Sequence, residues 1–393
     1  MRILYICNLN PYERQSGGHQ RGNLILKSLM TFANVDILYI HGDSEMCVDA
    51  KNVVDCYISR SHDGKIKKRF KQFLNLFHIG PYMIEPSNHK CIVAFEKMVR
   101  GKDYDIIFFR YLKPYLECGM PHLPNMVVDV DDLPWQESLC LSRNTEYSYV
   151  KRLYHRYRAC MVEHYARILL KHFRLTFYSN KFDICDTNGA YLQNIPYIDE
   201  TGCLCNKIWQ QPYNVLFVGT LSHVPNIEGL DHFITNIWPK VLQQNPDVRL
   251  NIAGRGLPLT MERKWTSVKN LNLMGYVESL SLLYMQCSVV ISPIYSGAGT
   301  NIKVLEALHY EKICVISDFS YRGFEEHLRD GEDLYICYSD EEYIDKLCLA
   351  LKYPDKQKGM AKHGCMQVKK YYSEASFVES LKNALEKEFK SNV

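Results

Sequence analysis

The stretch SGAGTNIKVLEAL at residues 296–308 sets Lys303 and Glu306 three apart, directly behind a loop with no bulky side chain. Residues at that spacing are neighbours on a helix, so a cation and a carboxylate share one face. Helical side chains lean toward the N-terminus, which aims both groups at the loop. Gly297 and Gly299 let a ligand come close to the backbone there. A helix starting at Thr300 or Asn301, both good capping residues, offers unpaired N–H groups and the positive end of its dipole. That combination suits a diphosphate, with Lys303 adding charge and Glu306 accepting hydrogen bonds from sugar hydroxyls. An isolated Lys–Glu pair at this spacing is more often a solvated surface pair. The glycine loop and the apolar run before it, VVISPI at 289–294, favour a site.

Such a loop must be held by a scaffold, and the sequence supplies one twice. RILYIC at 2–7, a Gly/Pro/Asn loop, helical spacing over 19–32 and VDILYI at 35–40 read as strand, loop, helix, strand. DIIFFRY at 105–111 and NMVVDV at 125–130 are further strands. The pattern restarts at YNVLFVGTL (213–221), followed by a helix over 226–244, strands at 248–254, 270–275, 289–294 and 312–317, and the Lys303 helix. Near-continuous apolar strands with helical crossovers predict parallel sheets covered on both faces, here as two Rossmann-like halves. The expected domains are 1–200, 206–372 and a terminal helix at 373–393 that begins with Ser373 or Ser376 as cap. Ligands of such sheets bind at the carboxyl ends of the strands, which predicts a site in a cleft between the two domains.

Composition narrows the class. The 393 residues carry 47 Lys+Arg against 44 Asp+Glu, a net charge of +3, too small to argue for a nucleic-acid partner. Fifteen cysteines, an odd number scattered through apolar stretches, fit a reduced cytoplasmic chain better than a disulfide framework. The apolar run after Arg2 is only five residues, too short for a signal core or a membrane span. Two stretches rich in bases and aromatics, 65–77 and 151–173, fit amphipathic helices suited to an anionic membrane surface, or simply solvated helix faces. The expected location is cytoplasmic, with peripheral attachment to the inner face of the membrane left open.

GAGTNIKVLEA closely resembles the GxGTRxKxxEA variant of the donor motif of family 4 glycosyltransferases, enzymes of the two-Rossmann GT-B fold. FVGTLSHVPNIEGLDHF, LNIAGRGLP and LMGYVESLSLLY resemble the family's first and second C-domain strands and its base-binding segment. SGGHQR and VVDVDDL carry a thinner resemblance in the N-terminal half. The resemblance implies that Gly219, Thr220, Asn226, Arg255, Tyr276, Val277, Gly299, Thr300, Asn301, Lys303 and Glu306 bind a nucleotide-diphosphate sugar. Glu306 matches the second of two family glutamates, which binds the ribose, while the first falls on Ala298. Thr220 and Asn226 stand where many members have Arg and Lys, so Arg255 and Lys303 are the nearest cations.

Gly17, Gly18, Arg21 and Asp132 are the expected acceptor-side residues, and Arg110 and Asp131, with Lys303, the expected catalytic groups. Asp129 and Asp131 also form a DxD, the metal signature of the other large glycosyltransferase fold. A three-residue pattern is weak beside an ordered set of C-terminal motifs, and Asp129, inside the apolar run, is expected to point away from the surroundings of Asp131. No metal or other cofactor is therefore expected. The resemblance implies a retaining transferase acting on a lipid-linked or saccharide acceptor in bacterial surface-polysaccharide synthesis. A non-catalytic partner subunit and a nucleotide-sugar epimerase of the same fold are the alternatives.

Overall fold

A computed structural model describes residues 1–13, 17–42, 52–58, 87–143, 147–198, 214–297 and 299–389. The chain divides into two compact units, Met1–Gln193 with Phe377–Val393, and Asn194–Ser376.

In the first unit the order is β1 (Arg2–Cys7), α1 (Gly17–Met30), β2 (Asn34–His41), β3 (Val53–Tyr57), α2 (His89–Val99), β4 (Ile106–Arg110) and α3 (Leu112–Glu117). There follow β5 (Met126–Asp131), α4 (Gln136–Arg143), α5 (Tyr149–Leu170), β6 (Leu175–Tyr178) and β7 (Gly189–Tyr191). Among the described residues the strands make one seven-stranded parallel sheet in the order β3-β2-β1-β4-β5-β6-β7. Its central strands are apolar on both faces because helices cover both, and Ile3, Ile6, Ile107, Phe109 and Val128 are all buried. Arg110 and Asp129 break that rule at 1% and 0% exposure. The strand order reverses between β1 and β4, which opens a crevice at their carboxyl ends.

The second unit repeats the plan with β8 (Asn214–Val218), α6 (Val224–His232), a π-helical turn (Phe233–Ile237), α7 (Trp238–Gln244), β9 (Arg249–Ala253), α8 (Leu259–Thr266) and β10 (Leu271–Gly275). Next come α9 (Leu280–Gln286), β11 (Val289–Ser292), α10 (Ile302–His309), β12 (Ile313–Ser317), α11 (Asp318–Tyr321), β13 (Tyr335–Cys337), α12 (Asp340–Lys352) and α13 (Pro354–Tyr371). The described strands form a six-stranded parallel sheet, β10-β9-β8-β11-β12-β13, with its reversal between β8 and β11. The single helix expected over 226–244 is interrupted by the π turn just before Trp238-Pro239. Proline has no N–H to give the preceding turn, and the wider turn absorbs the misfit.

The last helix, α14 (Glu374–Phe389), is capped by Ser373, whose Oγ accepts from the Ser376 N–H at 3.2 Å. Ser376 therefore lies inside the first turn and is not the cap. From Phe377 onward the helix belongs to the first unit, burying Phe377, Leu381 and Leu385. Arg174 meets Glu388 at 3.2 Å, and Gln193 donates to Ser380 at 3.2 Å. The division of the chain thus falls after Gln193, ahead of the boundary expected at residue 200.

The stretch 65–77 lies outside the described residues. The stretch 151–173 is mostly α5, which buries Ala159, Val162, Ala166, Leu169 and Leu170 and leaves Tyr149, Val150, Leu153 and Tyr157 exposed. No helix among the described residues is long and apolar enough to cross a membrane.

Candidate functional site

In the second unit the candidate residues gather at the carboxyl ends of β8 and β11, where the strand order reverses. Lys303 is in the first turn of α10 and donates from Nζ to Asn226 Oδ1 at 2.8 Å. The same ammonium sits 4.5 Å from the centroid of the Phe217 ring. Asn226, on α6, is fixed in turn by donating from Nδ2 to the Thr220 carbonyl at 2.9 Å. Its amide can point only one way, oxygen toward the lysine. Close packing keeps these loops together: a Cβ on Gly254 would lie 1.8 Å from the Gly219 carbonyl oxygen, so only glycine lets the β9 loop pass the β8 loop.

Glu306, one turn on, is 7% exposed and accepts from the Tyr284 hydroxyl at 2.9 Å. Desolvation pushes its carboxyl up to about 7, against the pull of Tyr284, Lys303 and the Tyr197 backbone. Desolvation also pulls the Lys303 ammonium down to about 7, opposed by Glu306. The two groups therefore titrate in the same range, and an anion arriving beside Lys303 would favour its charged form. Val304, Leu305, Ala307 and Leu308 face the core, and Glu306 is nearly as deep as they are. Asn301 occupies the cap position of α10 without a side-chain capping bond. Thr300 Oγ1 accepts from Asn194 Nδ2 at 2.9 Å, and Gly299 takes φ of +69°. Ala298 lies outside the described residues.

The remaining donor-side candidates are more open. Arg255 is exposed, and its carbonyl accepts from the Leu221 N–H at 2.8 Å. Tyr276 is 69% exposed beside the half-buried Val277, after Gly275, whose carbonyl accepts from the Gly254 N–H.

In the first unit a second constellation occupies the reversal between β1 and β4. Asp129, fully buried, accepts from Arg21 Nη2 at 2.7 Å and Arg21 Nε at 3.0 Å, and from Arg110 Nη1 at 2.6 Å. Arg110 Nη2 reaches Asp131 at 2.9 Å and the Tyr111 hydroxyl at 2.7 Å. Two guanidiniums and two carboxylates thus neutralise one another inside the unit. Asp129 does not turn away from the surroundings of Asp131 as expected: residues two apart on a strand share a face, and both carboxylates meet the same two arginines. The register slips between them, and Asp131 adopts φ of +59°. Against the cost of desolvation, Arg21 and Arg110 hold Asp131 below the usual carboxylate range.

Arg21, expected to meet an acceptor, is turned inward and also donates to the Leu192 carbonyl at 3.1 Å. Gly18 is pinned by Tyr111, since a Cβ there would lie 2.9 Å from the Tyr111 hydroxyl, whereas Gly17 is exposed with open space around it. The Asp132 carboxyl is raised to about 7, through desolvation first and then the charges of Asp131 and Asp183. Its side chain reaches solvent. Sequence reasoning missed Tyr284, Phe217, Tyr111 and Asn194. Each sits inside an apolar or featureless stretch, and only the fold brings it to the site.

Residues 212–352 match the family model described as Glycosyl transferases group 1. The matched segment contains Thr220, Asn226, Tyr284, Lys303 and Glu306, that is, most of the site just described in the second unit. An uncharacterised 44.6 kDa protein from the cps region of Klebsiella pneumoniae is 26% identical to this chain over 262 residues, 64% of its length. The match spans 65% of that relative's length.

Among solved structures, sucrose-phosphate synthase from Thermosynechococcus elongatus superposes with a TM-score of 0.68 at 13% identity, covering all of both chains. HepE from Anabaena, solved with UDP, gives 0.62 at 11% identity, covering 98% of this chain and all of the other. TarM, known also as an S. aureus mutant solved with UDP, gives 0.67 at 11% identity over 98% of each chain. The fold is GT-B, two Rossmann-like parallel-sheet domains.

Proposed function

We propose that this chain is a glycosyltransferase that takes its sugar from a nucleotide-diphosphate donor and passes it, with retention, to a lipid-linked or saccharide acceptor in bacterial polysaccharide synthesis. The observation that carries this reading is Lys303 at the start of α10, held by Asn226 with Glu306 one turn behind it. Loss of a diphosphate demands positive charge where negative charge develops, and a lysine beside a helix N-terminus supplies it. Glu306 is placed to accept the ribose hydroxyls. HepE and TarM, solved with UDP, and the cps-region relative lend support from outside the chain. Arg110 and Asp131 are proposed to serve the reacting sugar, with Asp131 as the group that reaches the surface at 13% side-chain exposure.

The reaction is proposed to need no metal. Both oxygens of Asp129 are already held by arginines, which leaves the DxD with one carboxylate where a cation would ask for two. The experiment is thermal unfolding of wild type and Glu306→Ala against UDP, GDP, ADP, dTDP and CMP, with and without EDTA. A nucleotide at a hundred times its Kd adds about 2.7 kcal/mol to the native state. One nucleotide should raise the wild-type midpoint by several degrees, less so for Glu306→Ala, and equally in EDTA. A panel that stabilises nothing would bring the non-catalytic partner forward. Donor turnover without acceptor would point to the epimerase.

We also propose a cytoplasmic enzyme that rests on an anionic membrane surface. On α5, Val150, Leu153 and Tyr157 form an exposed stripe at helical spacing, flanked by exposed Lys151 and Arg156. Co-sedimentation with vesicles should rise as phosphatidylglycerol replaces phosphatidylcholine and fall for Leu153→Glu. Binding indifferent to both changes would remove this proposal.

A further inference from the structure

The second unit holds a pocket of about 460 Å³ that the donor reading does not use. Its walls come from α6, the residues after β11, the start of α11, and the turn from β13 into α12. Glu228 and His232 lie two and six residues after Asn226. At about 100° per residue they leave α6 on the flank opposite the one that serves Lys303. The pocket thus adjoins the candidate donor site at Ser296 of the glycine loop and extends away from Lys303 along the other flank of α6.

Its chemistry is distinctive. Tyr338 and Tyr295 stand at the opening, 66% and 41% exposed, while Tyr343 forms a buried wall with its hydroxyl spent on the Val315 carbonyl at 2.7 Å. Three carboxylates, Glu228, Asp318 and Asp340, line the space, and no Lys or Arg does. Asp340 holds His232 Nε2 at 2.8 Å, and the imidazole packs edge-on against Tyr295 with centroids 5.2 Å apart. Two tyrosine rings at the mouth of a concave, carboxylate-lined space give it an apolar rim beside convergent polar groups.

We propose that this pocket binds a neutral or amino-bearing saccharide unit, a glycan subsite separate from the donor site. The apolar C–H face of a pyranose packs on an aromatic ring, whose face is negative. Carboxylates are pure acceptors and take the ring hydroxyls as donors. The net negative lining repels uronates and phosphates, so the pocket selects against anionic glycans and against the nucleotide itself.

The test uses the full chain and three probes: maltotriose, a glucosamine trimer and trigalacturonate, titrated by calorimetry or ligand-observed NMR. Wild type should bind the first two and not the third. Tyr338→Ala should weaken the binding tenfold or more, and Asp318→Asn several-fold. Both side chains are exposed, so neither change should disturb folding. Nucleotide stabilisation is read on the same samples, so a failed donor site and a failed glycan site are distinguishable. No binding of either sugar, binding unchanged in Tyr338→Ala, or trigalacturonate binding as well as maltotriose would each overturn the proposal. So would a joint loss of nucleotide and saccharide in Tyr338→Ala, which would make the pocket part of the donor site.

Discussion

Exchanging Lys303 for alanine should lower kcat/KM for glycosyl transfer by about 10²–10³-fold, the usual effect of removing one fixed group that meets developing charge. The ammonium has an amide oxygen and a ring face for company, and its folded pKa is lowered from 10.5 to about 7 by desolvation. A diphosphate binds its protonated form. Binding should therefore take up a proton above pH 7, and affinity for the nucleoside diphosphate should weaken as pH rises from 7 toward 9. Glu306, raised from 4.5 to about 7, works in the same sense, since its charged form adds repulsion as pH climbs.

The unliganded protein should carry the complementary signature. Between about 7 and 10.5 the unfolded chain binds the Lys303 proton that the folded chain has lost, so stability from this group rises with pH there. Between 4.5 and about 7 the folded chain keeps the Glu306 proton that the unfolded chain has lost, so stability from that group falls. Calorimetry in buffers of different ionisation enthalpy measures the uptake directly. A flat affinity from pH 6.5 to 9, or a Lys303→Ala enzyme within a few-fold of wild type, would refute this account.

The second large effect is on stability. Asp129→Ala should cost about 3–5 kcal/mol, because it strands two buried guanidiniums whose charge Asp131 alone cannot balance. At about 2–4 °C per kcal/mol for a domain of this size, the midpoint of the first unit should drop by roughly 10 °C. Nucleotide stabilisation of the second unit should survive, since no residue of the Lys303 cluster is touched. Removing charge in pairs, as in Arg21→Met with Asp129→Leu, should restore part of the loss through a measurable coupling energy. A midpoint within about 2 °C of wild type for Asp129→Ala would show that the network is not under this constraint.

The architecture was legible because a buried parallel strand writes itself as an apolar run. RILYIC, IIFFR, VLFV and VVIS each announce a central strand, and the helices between them follow from length and spacing. β3, β6, β7 and β13, of five, four, three and three residues, are too short for any period to show. The Lys303 helix was readable for a different reason. Its glycine loop, cap position and i, i+3 pair are all local, and local rules survive folding.

Partnership was not local. That Asn226 fixes Lys303 across 77 residues, that Tyr284 meets Glu306, and that Arg21 spans 108 residues to Asp129 depend on which loops the strand reversals bring together. The Asp129–Asp131 pair shows the limit most plainly. Two apart on one strand they share a face, but nothing in the strand itself says that Arg21 and Arg110 meet both carboxylates. The sequence by itself determined the fold class and its central strands, because burial is recorded residue by residue. Only the tertiary structure decided which charges meet and which of them titrate near pH 7, because desolvation belongs to a place in the fold and not to a position in the chain.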